Sequence, residues 1–240
     1  MTRSSKTRNY YLNALLCRAL VFGILVAYVI LKPAEFAAHL TTRILRLTPP
    51  TVIWLLLMLC MVLRFFPSRH ESLGCQKEFV RRLVPTGKSV SPAEIRQADR
   101  GALWVLLSWL ALNGLFYAGY ALGYLSPAFM VCLAGFYGIC DIICILFFCP
   151  FQAWMMRNRC CTTCRIFNWD YAMICTPLMV LRNPLTLAAC VLSILLLLRW
   201  EITYRLRAER FFESGNDALR CSQCQEQLCK YKRALARKLK

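Results

Sequence analysis

Long runs of apolar residues dominate the chain and predict its secondary structure. The runs 10–31 and 102–125 are nearly continuous stretches of Leu, Val, Ala, Phe and similar residues. Each is long enough for a helix to cross about 30 Å of hydrocarbon. The strands of a membrane barrel would instead alternate apolar and polar residues over about ten positions. The pattern therefore predicts helical membrane spans.

Prolines divide the remaining apolar sequence into further segments. Pro50 and Pro67 bound the run 51–66, and a Ser-Pro turn at 126–127 leads from the third run into a fourth at 128–151. Proline cannot continue a helix, so these positions mark helix ends. The third and fourth runs are thus expected to form an antiparallel hairpin.

The stretch 171–200 is best divided in two. A single helix of this length would extend about 45 Å, too long for the bilayer, and Asn183-Pro184 predicts a turn within it. The predicted membrane segments are 10–31, 51–66, 102–125, 128–151, 171–181 and 185–199. The fifth is short enough to re-enter the membrane rather than cross it.

These segments predict an all-α integral membrane protein with six membrane segments and a small cysteine-rich metal-binding region. The parts are a basic tail with the first span (1–31), an outer amphipathic loop (32–50), the second span (51–66), a basic cytoplasmic loop (67–101), the hairpin (102–151), a cytoplasmic cysteine loop (152–170), the fifth and sixth segments (171–200) and a basic cytoplasmic cysteine-containing tail (201–240).

The composition agrees with a membrane protein and indicates its orientation. Of 240 residues 58% are hydrophobic, and the formal net charge is +18. Lys and Arg concentrate in cytoplasmic loops and tails, and six segments place both termini and the basic loops on that side. We expect the protein to be integral to a cytoplasmic membrane of the bacterial type.

The basic residues are expected to meet anionic lipid headgroups. The candidates for headgroup contact are Arg81, Arg82, Lys230, Lys232 and Arg233. Because topology alone accounts for the basic charge, nucleic-acid binding is not expected.

Cysteine spacing is the strongest chemical signal among the 15 cysteines. Cys161 and Cys164 form one Cys-x-x-Cys motif, and Cys221 and Cys224 form another. Both lie on the predicted cytoplasmic side, flanking the segments 171–200, so the topology can bring them together. Four thiolates are the ligand set of structural zinc and of iron–sulfur clusters.

Several interpretations of these cysteines remain open. Structural zinc is favoured over an iron–sulfur cluster, a dithiol–disulfide redox site and unliganded or lipid-modified thiols. Cys160, Cys229 and Cys75 are alternate ligands.

Asp141 lies within the fourth run, where a carboxylate indicates a functional site. We expect Asn113 or Tyr117 of the third run to be its neighbour, and Arg18 to extend toward the membrane surface. The other cysteines of the fourth run are expected to pack as small apolar residues.

Three functions follow from these features. We expect a non-enzymatic or accessory membrane protein with a cysteine-ligated metal site on its cytoplasmic face, for which structural zinc is favoured. This site would hold the tail and present a docking surface for a protein partner. The alternatives are electron transfer through an iron–sulfur cluster and transport of a small solute or metal ion through Asp141. With two histidines and no phosphate loop or His-Glu-x-x-His motif, hydrolase chemistry is not expected.

Overall fold

The computed structural model describes residues 3–41, 48–158, 160–224, 226–229 and 232. Over these residues the chain is helical and has no strand. The helices are α1 (Arg3–Leu31), α2 (Pro33–Thr41), α3 (Pro49–Leu63), α4 (Pro92–Ala121), α5 (Pro127–Leu146), α6 (Asp170–Cys175) and α7 (Pro184–Leu206). Short 3₁₀ turns and one π-helical turn, Phe151–Met155, lie in the connections.

Four helices, α1, α4, α5 and α7, are long and apolar enough to cross a membrane. The predicted all-helical membrane fold is confirmed at this level, whereas six spans are not. Helix α3 has 15 residues, about 22 Å at 1.5 Å per residue. The fifth segment is broken, because Pro177 interrupts the α-helical pattern after α6 and the chain continues as a 3₁₀ turn.

Helix α4 begins at Pro92, so residues 92–101 are helical and not part of a loop as predicted. Ser91 caps the helix by accepting a hydrogen bond from the Ala93 N–H, while the Glu94 side chain accepts one from the Ser91 N–H. This reciprocal capping starts a helix in polar sequence, which an apolar pattern does not detect.

The long helices pack closely where small residues allow it. At Gly135 of α5 an added Cβ would lie 2.9 Å from the Phe22 ring of α1, so α1 approaches α5 more closely than a larger residue would permit. The largest buried cluster joins α3, α5, α6 and α7 through Met61, Met130, Tyr137, Cys175 and Ala189, among others.

The fifth segment begins beside the C-terminal end of α3 and leads to the other end of the bundle, where α7 starts. It packs mainly against α5 and α7. At one end Asp170 accepts a hydrogen bond from the buried Arg64 Nη2 at 2.9 Å, just after α3 ends. Beyond the other end, the Leu185 carbonyl accepts one from Trp54 Nε1 at 2.7 Å, in the first turns of α3. Residues 170–183 therefore connect the two ends of the helix bundle.

The connections on the side where α3, α5 and α7 end form a compact loop layer. It comprises residues 67–91, 147–158, 160–169, 207–224 and 226–229. Lys77 lies at its centre, fully buried, and donates from Nζ to the Cys164 carbonyl at 2.8 Å. The same ammonium lies 5.4 Å from the Trp200 ring centroid and 5.5 Å from that of Phe211. One cation thus links all three parts of the layer.

The tail after α7 is held by side chains that accept backbone hydrogen bonds. Asn216 accepts from the Val84 N–H at 3.0 Å, and Glu226 accepts from the Leu73 N–H at 2.6 Å. The tail therefore packs against the first loop of the layer, residues 67–91, through polar contacts.

Glu78 gives the loop layer a predicted pH dependence. It is 6% exposed, and burial raises its pKa from 4.5 to about 7 although Arg199 lies 3.6 Å away. The folded protein then holds this proton more tightly than the unfolded chain does, so the free energy of unfolding falls as pH rises from about 4.5 through 7. We expect Glu78→Gln to remove most of that fall in thermal unfolding measured in detergent at pH 5 and pH 8. An equal fall in both proteins would contradict this assignment.

Candidate thiol site

A cavity of about 360 Å³ lies where α5 ends against the loop layer. Its walls are mainly aromatic and apolar, with Trp109, Phe136, Phe148, Phe151 and Phe167 among the lining residues. Five cysteines also line it: Cys140, Cys144, Cys149, Cys161 and Cys164. Phe136 and Phe148 are about half exposed, so the cavity opens on the outer surface of the bundle. Its volume is that of a small-molecule site.

The local sequence places Cys149 at the start of a helical turn. Helix α5 ends at Leu146, and Pro150 precedes the π-helical turn Phe151–Met155. The first N–H groups of a helical turn have no partner within the turn. One of them, that of Gln152, donates to Cys149 Sγ at 3.4 Å.

The surroundings of Cys149 favour its thiolate. A hydrogen bond from the Cys144 thiol is the largest of the causes that lower the pKa of Cys149 from 9.0 to about 7. Burial opposes this effect, while the backbone N–H groups of Gln152 and Phe151 and the Lys232 ammonium reinforce it. A thiol with such a pKa is substantially ionised at neutral pH and is a competent nucleophile.

A third thiol lies in the same hydrogen-bond network. Cys161 donates from Sγ to Gln152 Oε1 at 2.8 Å and accepts from Lys232 Nζ at 2.8 Å. Lys232 also donates to the Cys144 carbonyl at 2.7 Å. Gln152 and Lys232 therefore connect the cysteine loop to the end of α5.

Asp141 is paired with Arg18, so the expected partnership with Asn113 or Tyr117 is wrong. Arg18 Nη1 donates to Asp141 Oδ2 at 2.7 Å and to the Gly138 carbonyl at 2.6 Å. Asn113 is instead the acceptor for the Tyr137 hydroxyl, at 3.4 Å. The reason is that α1 packs against α5 and its arginine meets the carboxylate directly instead of reaching the membrane surface.

The two Cys-x-x-Cys motifs face different cavities. Cys161 and Cys164 line the thiol cavity. Cys224 lines a separate pocket, and so does Thr162, the residue that follows Cys161. Burial also raises the pKa of Cys164 to about 12. In the described part of the chain no three His, Cys, Asp or Glu residues are arranged to hold a metal, so the predicted metal region is not confirmed.

The alternate metal ligands Cys160 and Cys229 lie near the second Cys-x-x-Cys motif, whereas Cys75 does not. The pKa of the exposed Cys221 is raised by desolvation and by nearby Glu213, Cys160, Cys229 and Cys224, in that order. Cys160, Cys224 and Cys229 therefore lie near enough to Cys221 to act on it electrostatically.

Cys75 is buried elsewhere. Its Sγ lies 3.6 Å from the Tyr11 hydroxyl and accepts from Ser72 Oγ at 3.7 Å. Burial raises the pKa of this thiol to about 12.

The candidate headgroup residues lie in varied positions. Arg81 is exposed, and Arg82 donates to the Ser68 carbonyl at 3.2 Å. Lys232 lies at the thiol cavity, as described above. Lys230 and Arg233 lie outside the described residues.

Sequence reasoning missed Cys149, Cys144 and Gln152. The available signal was Cys149-Pro150 directly after an apolar run, because such a proline ends one helix and leaves the cysteine beside the free N–H groups of the next turn. Comparisons with protein-family models, curated proteins and solved structures find no match to this chain.

The Arg18–Asp141 pair gives a stability prediction. Arg18→Met or Asp141→Met alone leaves one unpaired charge in an apolar setting, and we expect each to destabilise the protein by about 3 kcal/mol. The double variant should recover most of that loss in thermal unfolding in detergent. Lys32→Met is the control, because its partner Glu35 is 57% exposed and such pairs contribute little. A double variant no more stable than the single variants would contradict the pairing.

Proposed function

We propose that this protein is a membrane dithiol–disulfide electron carrier in which Cys149 is the reacting thiolate and Cys144 its partner. The single observation that carries the proposal is the position of Cys149 at an apolar cavity that Cys144 also lines, with Cys149 Sγ accepting from the Gln152 N–H at 3.4 Å. The lowered pKa of Cys149 supports it. It replaces the iron–sulfur route to electron transfer with a route through thiols.

The apolar lining indicates the class of electron acceptor. The aromatic walls and the opening on the lipid-facing side suit a lipophilic molecule of moderate size. A quinone meets these requirements and accepts two electrons, the number that a dithiol releases.

The reaction balances as two half-reactions. When the Cys149 thiolate and the Cys144 thiol form a disulfide, two electrons and the Cys144 proton pass to the quinone, and water supplies the second proton, which replaces the one released when Cys149 ionised. The quinone thereby becomes a quinol. A cytoplasmic thiol then attacks the disulfide, and a second equivalent completes the exchange, which restores both protein thiols and leaves the small disulfide. The net result is transfer of two electrons from thiols to the membrane.

Acyl transfer or hydrolysis by Cys149 is less well supported. Such reactions use a general base beside the nucleophile, most often histidine. No histidine is among the residues that line the cavity, and disulfide exchange needs only an ionised thiol with a second thiol in reach.

The proposal includes the finer topology. We place the loop layer on the cytoplasmic side of a bacterial-type membrane, with α3 and residues 170–181 inside the bilayer as the second and fifth segments. The Arg64–Asp170 and Trp54–Leu185 contacts support this placement, because they join the chain just before and just after this segment to the two halves of α3.

A docking role with structural zinc is the second candidate. Cys160, Cys221, Cys224 and Cys229 are the neighbouring thiols that support it, and they are the ligand number of structural zinc. In this role the metal would draw the four sulfurs together and hold the tail as a surface for a protein partner.

Thiol reactivity tests the first proposal. We expect iodoacetamide to modify Cys149 at least about tenfold faster than an ordinary thiol at pH 7, with a half-maximal rate near that pH. Peptide mass spectrometry of the detergent-solubilised protein identifies the modified residue. Cys144→Ser, which replaces the thiol donor, should shift the midpoint for Cys149.

Cys132 provides the internal control, because it lies on α5, which ends just before Cys149, is partly buried and does not line the cavity. If Cys149 and Cys132 react with the same pH dependence, Cys149 is not activated and the proposal fails.

Elemental analysis tests the second candidate. We expect about one zinc per chain in protein purified without chelator, and loss of that zinc in Cys221→Ser/Cys224→Ser. Cys161→Ser/Cys164→Ser should retain it. Metal-free wild-type protein would contradict the zinc site without affecting the thiol proposal.

A further inference from the structure

A second cavity, of about 740 Å³, lies between α4 and the end of the π-helical turn. Three arginines, Arg96, Arg100 and Arg157, line it together with the indoles of Trp104 and Trp154. Both indoles are more than half exposed. This cavity is distinct from the thiol cavity, whose lining residues are mainly apolar.

Within the described part of the chain, the three guanidinium groups of this cavity are not matched by carboxylates. Over the described residues no carboxylate pairs with Arg96, Arg100 or Arg157. The acidic residues near in sequence are engaged elsewhere: Asp99 pairs with two other arginines, and Glu94 caps α4. Convergent cations of this kind form a site for an anion, and arginine binds phosphate oxygens in a bidentate manner.

The backbone is shaped to bring these groups together. An added Cβ at Gly101 would lie 2.9 Å from Met156 Sδ and 3.3 Å from the Met155 carbonyl, so glycine permits α4 to approach the turn. Arg157 follows with φ of +49°, a left-handed conformation that is unfavourable for a residue with a side chain. Such strain is retained most often where it positions a functional group.

The lining face of α4 continues from charged to apolar residues. Arg100, Trp104 and Ser108 are four residues apart and share one side of the helix. Eleven residues beyond Trp104, about 17 Å along the axis, Leu115 lies near the same side and is 73% exposed. The surface therefore has a phosphate-binding end, an indole belt and an apolar end in the order that a membrane lipid requires.

We propose that this cavity binds the headgroup of an anionic phospholipid of the phosphatidylglycerol type. The phosphate lies among Arg96, Arg100 and Arg157, and the acyl chains follow α4 toward Leu115. The apolar continuation favours a lipid over a free phosphate, which would use only the basic end. Basic pockets at the cytoplasmic ends of membrane helices commonly bind such headgroups.

The site is tested by native mass spectrometry of the detergent-solubilised full chain, titrated with dioleoyl phosphatidylglycerol and dioleoyl phosphatidylcholine. We expect preferential retention of phosphatidylglycerol by the wild-type protein. Arg96→Gln/Arg100→Gln should weaken this binding roughly tenfold or more and bring it close to that of phosphatidylcholine. Arg69→Gln/Arg207→Gln is the matched control, because it removes the same charge from exposed residues that do not line the cavity.

Each outcome of this experiment decides the proposal. Equal weakening by the two double variants would show that the preference reflects general charge, and it would overturn the site. Displacement of the lipid by inorganic phosphate or glycerol 3-phosphate at equal concentration would assign the cavity to a soluble phosphate and also overturn it. Unchanged melting of the Arg96→Gln/Arg100→Gln variant in phosphatidylcholine verifies that it is folded. Arg157→Gln provides an independent second variant with the same expected loss.

Discussion

Pairing of charged side chains where the apolar helices meet the loop layer is the constraint on which the structure depends. A charge in an apolar setting is strongly unfavourable unless a partner compensates it. Arg64 after α3 meets Asp170 at the start of the fifth segment, and Arg18 of α1 meets Asp141 of α5. The first pair holds the cysteine loop, which ends at residue 169, beneath the bundle. The second fixes α1 against the helix that forms the cavity wall.

This arrangement explains why five cysteines line the same apolar cavity. Helix α5 ends early, before Pro150, and the next turn presents its N–H groups to Cys149. Because the cysteine loop is held in place, Cys161 reaches Gln152 of the same turn, and Lys232 joins both sides. Polar contacts thus lower the pKa of Cys149 next to a space that suits a lipophilic molecule. The combination of these two features, rather than either alone, supports two-electron chemistry between thiols and the membrane.

Much of the fold is predictable from sequence because a span requires a long apolar run, and α1, α4, α5 and α7 contain one. The start of α4 is not predictable in this way, since it depends on a polar capping box at Ser91. Cysteine spacing predicts a functional role for Cys161 and Cys164, which line the thiol cavity. The lowered pKa of Cys149 depends on three-dimensional contacts, and the ion pair of Arg18 with Asp141 joins residues 123 positions apart. No local pattern encodes such pairings.

Anaerobic titration of the detergent-solubilised protein with a short-chain quinone, followed by disulfide mapping, tests the thiol account most directly. We expect about one quinol to form per chain, together with a disulfide that joins Cys144 to Cys149. Absence of quinol, or oxidation confined to Cys221 and Cys224 in the tail, would contradict it.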